Sequence, residues 1–168
     1  MAVEIRQVQD KSELKRFVQF GNELYKKNPY HVPVLIDDEL GTLDKDRNPA
    51  FEFCEAAYFL AYRNGRIVGR IAGIINHRAN ETWNQSNARF GFLDFINDNA
   101  VVDALFEVVE NWARSKGMEM LQGPMGFTDM DKEGMLIEGF DQLGTMSTIY
   151  NYAYYPKQLE RLGFIKDQ

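Results

Sequence analysis

Residues 57–76 read AYFLAYRNGRIVGRIAGIIN, and this stretch decides the fold. Two runs rich in β-branched and aromatic residues, Tyr58–Tyr62 and Ile67–Ile75, flank Asn64-Gly65. Asn and Gly tolerate positive φ at both central positions of a tight turn. Such a turn matches the right-handed twist of the strands it joins. The spacing predicts an antiparallel β-hairpin. Upstream of it, Val3 and Ile5 alternate with Glu4 and Arg6 as a short first strand. Asp10-Lys11-Ser12-Glu13 has the form of a capping box, in which Asp10 accepts from a free amide of the first turn while Glu13 reaches back. Leu14, Phe17, Val18, Leu24 and Tyr25 then recur at helical spacing, and Asn28-Pro29 is expected to end that helix. In residues 30–56, the apolar run Val32–Leu35 precedes the charged run Asp37–Arg47, where a second short helix fits.

Downstream of the hairpin, His77–Asn87 is polar and reads as a loop, and Phe90, Phe92 and Leu93–Ile96 read as a strand. A helix is expected from about Ala100 to Lys116, with Val101, Leu105, Val108 and Trp112 on one face and Gly117 as its stop. Met118–Leu121 suggests a further strand. Gly123–Gly144 is a long loop holding Gly126, Gly134 and Gly139 between its ends, and loops of that length in a compact domain commonly serve function. Pro156–Leu162 fits a helix with proline in its first position, followed by a closing strand stub, Ile165–Gln168. No repeat and no linker divides the chain. The expectation is one α/β (α+β) domain over residues 1–168, with a mixed central sheet of about six strands flanked by helices.

Composition narrows the function. A net charge of −6 and the lack of a dense basic run argue against nucleic acid as a partner. No stretch approaches 18 apolar residues, so no membrane span is expected. Cys54 is the single cysteine, which excludes an intrachain disulfide and suits a reducing, cytoplasmic compartment. With no sequence neighbour that would lower its pKa, Cys54 reads as a buried, inert thiol. His31 and His77 lack ligand spacing, and Asp37, Asp38, Glu39, Asp44 and Asp46 lack the alternation of a calcium loop. The acidic group reads as a solvated face, and no metal is expected.

The order of elements, strand-helix-(helix)-strand-strand-strand-helix-strand-loop-helix-strand, resembles the GNAT superfamily of acyl-CoA-dependent N-acyltransferases. Three segments carry the resemblance. The hairpin continues into Arg66-Ile67-Val68-Gly69, the passage from Phe92 to Trp112 is similar to the family's cofactor-binding unit, and Asn151 followed by Leu159-Glu160-Arg161-Leu162-Gly163-Phe164 is similar to its ending. Gly123-Pro124, Gly139-Phe140-Asp141 and Asn151–Tyr155 further resemble the N-terminal part of longer bacterial GNAT-like proteins of poorly defined function.

That resemblance implies acetyl-CoA or another acyl-CoA as cofactor and a small-molecule amine or peptide as acceptor. Asp94 and Glu81 are the candidate bases toward the acceptor ammonium. Many family members carry a general-acid tyrosine where Leu159 stands here, so Tyr154 and Tyr155 become the candidate proton donors. By position, the backbone of Phe95, Ile96 and Asn97 would meet the pantetheine arm. The amides of Asp98, Asn99, Ala100 and Val101 would meet the phosphates, and Asn151 would open the last cofactor-facing segment. The family's phosphate loop is glycine-rich and follows Gln or Arg, whereas Ile96–Val101 holds neither glycine nor a basic residue. Asp98 or Asn99 reads instead as an N-cap, and a carboxylate there repels phosphate by on the order of 1–4 kcal/mol per close pair. The family also continues into a closing hairpin, so the chain is expected to be a truncated domain. Its open sheet edge would be met by a homodimer partner or by a further C-terminal domain. Two functions follow: an acyl-CoA-dependent N-acyltransferase, or a non-catalytic GNAT-fold module that binds through the Gly123–Gly144 loop.

Overall fold

The computed structural model describes residues 2–167. Its centre is a five-stranded sheet in the order β1-β2-β3-β4-β5. The strands are β1 (Glu4–Gln7), β2 (Cys54–Arg63), β3 (Arg66–Asn76), β4 (Asn87–Phe95) and β5 (Met120–Gln122). Each of the first four runs antiparallel to its neighbour among them, and β5 lies parallel to β4. The expected hairpin is β2–β3, with Asn64 at φ 52° and Gly65 at φ 73° in the turn. Those left-handed values are what this dipeptide accommodates at low cost.

Side chains alternate across β2 and bury both faces of the sheet. Phe59 and Ala61 join the core beneath α4 (Asn99–Ser115) and α5 (Tyr154–Arg161), while Leu60 and Tyr62 join the core beneath α1 (Lys11–Leu24) and α2 (Ile36–Leu43). The molecule is therefore three layers deep, with helices on both faces, which explains why β2 and β3 read as nearly continuous apolar runs. Asp10 caps α1 as expected, accepting from the Glu13 amide at 2.8 Å, although Glu13 reaches back to the Gln9 amide rather than to that of Asp10. Leu159, where the family's tyrosine would stand, is buried in the α4-side core.

Several expectations are corrected. The sheet has five strands rather than about six, because the C-terminal stub pairs with nothing over Ile165–Asp167; Gln168 lies outside the described residues. His77–Trp83 is a short helix, α3, rather than loop. Asn76 caps it by accepting from the Ala79 amide at 2.9 Å, and none of its residues is buried, so it carries no apolar periodicity to read. α1 ends at Leu24, and the chain turns through Asn28, whose amide donates to the Tyr25 carbonyl at 2.8 Å. α5 begins two residues earlier than expected, at Tyr154. Pro156 still lies in the first turn, where its missing N–H would have had no acceptor within the helix. Residues 123–153 form the long connection, without regular structure, held to the body by buried Phe127, whose carbonyl accepts from Asn76 and Arg89, and by further hydrogen bonds.

Candidate functional site

β4 is bent in its middle. Arg70 faces Asp94 and Ala72 faces Gly91, so β4 carries one residue more than β3 between those pairs, and Phe92 takes a left-handed φ of 46°. This is a β-bulge, a device that re-aims side chains beside functional sites. On the other edge, β5 pairs with β4 only from Asn87 to Arg89, and the last link is the Met125 amide to the Phe90 carbonyl at 2.9 Å. The Met125 carbonyl lies so near Gly91 that an added Cβ would approach it to 2.1 Å, which only glycine permits. β5 ends at Gln122, so the later part of β4 has no ladder partner on that edge. α4 follows β4 directly, as the sequence order implied.

A cavity of about 360 Å³ opens at the bulge, between α1, the segment leading into α2, and the long connection. Its floor is charged and buried. The Arg70 guanidinium donates to Asp94 at 2.9 Å, to Glu39 at 3.1 Å and to the Phe17 carbonyl at 3.0 Å. Burial works against its charge, but Glu39 and Asp94 outweigh burial and hold its proton more tightly than usual. Tyr155 donates to the other Asp94 oxygen at 2.9 Å and receives the Tyr25 hydroxyl at 2.7 Å. Burial first, and Asp94 second, push both tyrosines above their ordinary range, so both remain donors at neutral pH. His31 stacks on Tyr25 at 4.3 Å between ring centres and lines the cavity. Its burial, with Lys132 and Arg70 nearby, lowers it to about 4 and leaves it a neutral acceptor.

Of the candidate residues, the structure gathers Asp94, Phe95, Tyr154 and Tyr155 into one place. The Phe95 amide donates to Tyr155 at 3.3 Å, and Tyr154 donates to the Phe95 carbonyl at 2.5 Å. Burial raises Tyr154 as well. Ile96 turns back to β3, its amide donating to the Val68 carbonyl at 3.0 Å. Asn97 and Asn99 both accept from the Gln158 side chain of α5, at 3.1 and 2.9 Å. Asp98 caps α4, accepting from Ala100 at 2.9 Å and Val101 at 3.4 Å, and pairs with Arg63 at 2.6 Å. The Arg63 hydrogen bond, together with those two amides, lowers the Asp98 carboxyl below its usual range. Asn151 is buried and braces the connection by bonding both the amide and the carbonyl of Leu136. Glu81 is exposed on α3, away from this assembly, and lines none of the cavities found. Cys54 is buried with its thiol raised to about 11, mainly by desolvation, so it is inert. Among the described residues, no three His, Cys, Asp or Glu side chains converge as metal ligands do.

Sequence reasoning missed Glu39, Arg70, Tyr25 and His31. Glu39 was grouped with the solvated acidic run, but its side chain is only 12% exposed because it turns inward to Arg70. A signal did exist. Arg70 is the lone charge in the apolar run Ile67–Ile75, and Asp94 is the lone charge in Phe90–Ile96. Charges of opposite sign stranded on two buried strands call for each other.

No protein-family profile matches the chain. It is 31% identical over 162 residues to Protein YghO of Escherichia coli K12, covering 96% of this chain and 41% of that protein. It is likewise 31% identical over 162 residues to the bacterial ceramide synthase of Caulobacter vibrioides, covering 96% of this chain and 42% of that protein. The chain thus spans about two fifths of the length of the curated relatives it matches. Among solved structures, it superposes on a tandem GNAT protein from the clavulanic acid biosynthesis pathway with TM-score 0.62, at 14% identity, over 96% of this chain and 43% of the other. It also superposes on AAC(6')-Iy in complex with a CoA bisubstrate analogue, with TM-score 0.60, at 16% identity, over 100% and 94% of the two chains. A predicted acetyltransferase with acetyl-CoA from Clostridium acetobutylicum gives 0.57, at 12% identity, over 98% and 90%. The chain therefore has the GNAT fold, the fold of acyl-CoA-dependent acetyltransferases.

Acyl-CoA is the cofactor this fold implies; beside the α4 start Asn97, Tyr154, Lys157, Gln158 and Arg161 line an open depression, but several groups that the cofactor would meet are already engaged. The Phe95 amide and carbonyl, which would face a pantetheine arm, are both taken by tyrosine hydroxyls. The first free amides of α4, which would face phosphate, are capped by a carboxylate. Gln158 bridges α5 to the approach of α4, and Arg161 ties the same helices through Asp103 at 2.7 Å.

Proposed function

We propose that this chain is the amine-binding domain of an N-acyltransferase, its cavity beside β4 holding the acceptor. The carrying observation is the cavity itself. It opens at the bulge of the strand around which GNAT domains are built, and carboxylates outnumber cations in its lining, with Asp38, Glu39, Asp94 and Asp131 against Arg70 and Lys132. An ammonium is the acceptor form that such a lining attracts. The GNAT fold supports the acyl-transfer class. A relative called a ceramide synthase, whose product is an amide of an amine, supports nitrogen as the acylated atom. The domain's part is to bind and orient the amine, with Asp94 as the nearest fixed carboxylate to take its proton.

A second reading, a binding module without its own catalysis, is favoured by the engagement of the Phe95 backbone and the first α4 amides by the protein's own side chains. Calorimetry and thiol release separate the two. The 168-residue chain is expected to bind an amine and to show no saturable heat with acetyl-CoA at millimolar concentration. Micromolar acetyl-CoA binding with amine-dependent release of free thiol would instead make the chain a complete transferase. Failure to bind any amine would end the acceptor proposal.

A further inference from the structure

The long connection does more than wall one side of the cavity. Two hydrogen-bonded turns within it each hold a methionine outward at the same opening. In the first, the Asp131 carboxylate accepts from the Phe127 amide at 2.8 Å and the Thr128 amide at 3.1 Å, and the Met130 amide donates to the Thr128 hydroxyl at 3.3 Å. In the second, the Thr145 amide donates to the Thr148 hydroxyl at 2.8 Å and the Ser147 amide donates to the Thr145 hydroxyl at 3.3 Å, with Met146 between them. Buried Phe127 roots the first turn, and buried Asn151 lies just beyond the second. Met130 is 89% exposed and Met146 63%, and they line the cavity together with Leu35, at 55%. Large apolar side chains exposed singly are ordinary, but three that share one opening mark a surface suited to contact. Methionine is unbranched and polarisable, so it adapts its shape to what it meets.

The same segment is strongly acidic. Residues 123–153 carry Asp129, Asp131, Glu133, Glu138 and Asp141 against Lys132 alone, so they hold most of the chain's net charge of −6. None of these six side chains forms an ion pair among the described residues. We propose that this acidic, methionine-bearing face docks a basic amphipathic helix of a partner protein, its apolar side chains in the mouth and its cations over the surrounding carboxylates. The sign of the charge selects the occupant. A second copy of this chain would bring a net charge of −6 of its own, and nucleic acid or an anionic bilayer would be repelled likewise. A wholly apolar segment would fill the mouth and leave the carboxylates without counter-charge. A helix presents both chemistries at once, because apolar anchors at i, i+3, i+4 and i+7 share one face and leave the flanks to cations. A cavity of about 360 Å³ receives such anchors, while the helix itself lies across the rim. The proposal goes beyond the amine reading and does not rest on it, although a helix laid across the mouth would also shield the cavity from water.

The probe is a synthetic amphipathic helix of leucine and arginine with a blocked N-terminus, titrated calorimetrically into the 168-residue chain beside the same peptide with glutamate in place of arginine. Arginine and the blocked end leave the peptide without a primary amine, so its failure to bind would not bear on the amine proposal. The arginine peptide is expected to bind one to one, at least about tenfold tighter than the glutamate peptide, and to weaken by about tenfold from low to high salt. Met130→Ser with Met146→Ser should weaken it by about tenfold. Asp129→Asn with Glu133→Gln should weaken it and flatten its salt dependence. All four positions are exposed, so these variants keep their fold. Met120→Ser, at an exposed methionine on β5, should leave binding unchanged. Equal binding of the two peptides, no binding of the arginine peptide, or the same loss from Met120→Ser would overturn the proposal. Dimerisation in sedimentation that Met130→Ser with Met146→Ser abolishes would overturn it in favour of a second copy. Flotation with phosphatidylcholine vesicles would overturn it in favour of a bilayer.

Discussion

Asp98 shows how a single side chain can close a site. Its carboxylate takes the amides of Ala100 and Val101 and pairs with Arg63, so the helix start that would favour a phosphate already holds an anion. Replacing it with alanine should cost about 1–2 kcal/mol of unfolding free energy at pH 7, the usual worth of an N-cap. The sign of its pH dependence follows from the lowered carboxyl. A carboxyl depressed in the folded state stabilises the fold above the ordinary aspartate value of about 4, and that stabilisation is lost as pH falls through the depressed value. Urea denaturation should therefore find wild type and Asp98→Ala apart at pH 7 and converging toward pH 2. An equal gap at both pH values would mean that packing rather than charge sets the difference. Asp94 was legible at this scale, and Arg70 left a signal that went unread, as the lone charge in its own apolar run. Glu39 and Tyr25 were not, because their partners lie far away in sequence: Tyr25 meets Tyr155 across 130 residues.

Among the elements, the β2–β3 hairpin was legible because its turn depends on two adjacent residues. Gly65 sits at φ 73° with nothing near its missing Cβ, so only backbone strain opposes a side chain there. Gly65→Val should destabilise the fold by about 1–2 kcal/mol, read as a lowered urea midpoint with an unchanged slope. A neutral result would show that the turn relaxes into another type. α4 was legible for a different reason. Its apolar stripe is regular, and Val101, Leu105 and Val109 are fully buried. α3 escaped notice because it presents no buried face, and the fifth strand marks the sheet's limit because Ile165–Asp167 finds no pairing partner. The bulge in β4 has no sequence signature, since Phe92 is an unusual residue to hold at a left-handed φ. Its position follows from pairing with β3 on one edge and from the close passage of Met125 on the other.

For the whole molecule, the fold and the site give different answers to the same question. The layered sheet belongs to the GNAT fold, on whose members the chain superposes with TM-scores of 0.62 and 0.60. Near the start of α4, groups that a cofactor would meet are engaged by the protein's own Tyr154, Tyr155 and Asp98, beside an open depression lined by Asn97, Lys157 and Arg161, while a second opening on the α1–α2 side is charged at its base and apolar at its lip. The account centres on that opening as an amine site, and the methionines report on it directly. Met125, Met130, Met135 and Met146 line it, whereas Met118 and Met120 line a separate depression beside β5. In a spectrum of methyl-labelled methionine, titration with a primary amine such as butylamine should move the first four resonances together, with one dissociation constant, and leave those of Met118 and Met120 in place. Shifts confined to Met118 and Met120, or none at any methionine at saturating amine, would contradict it.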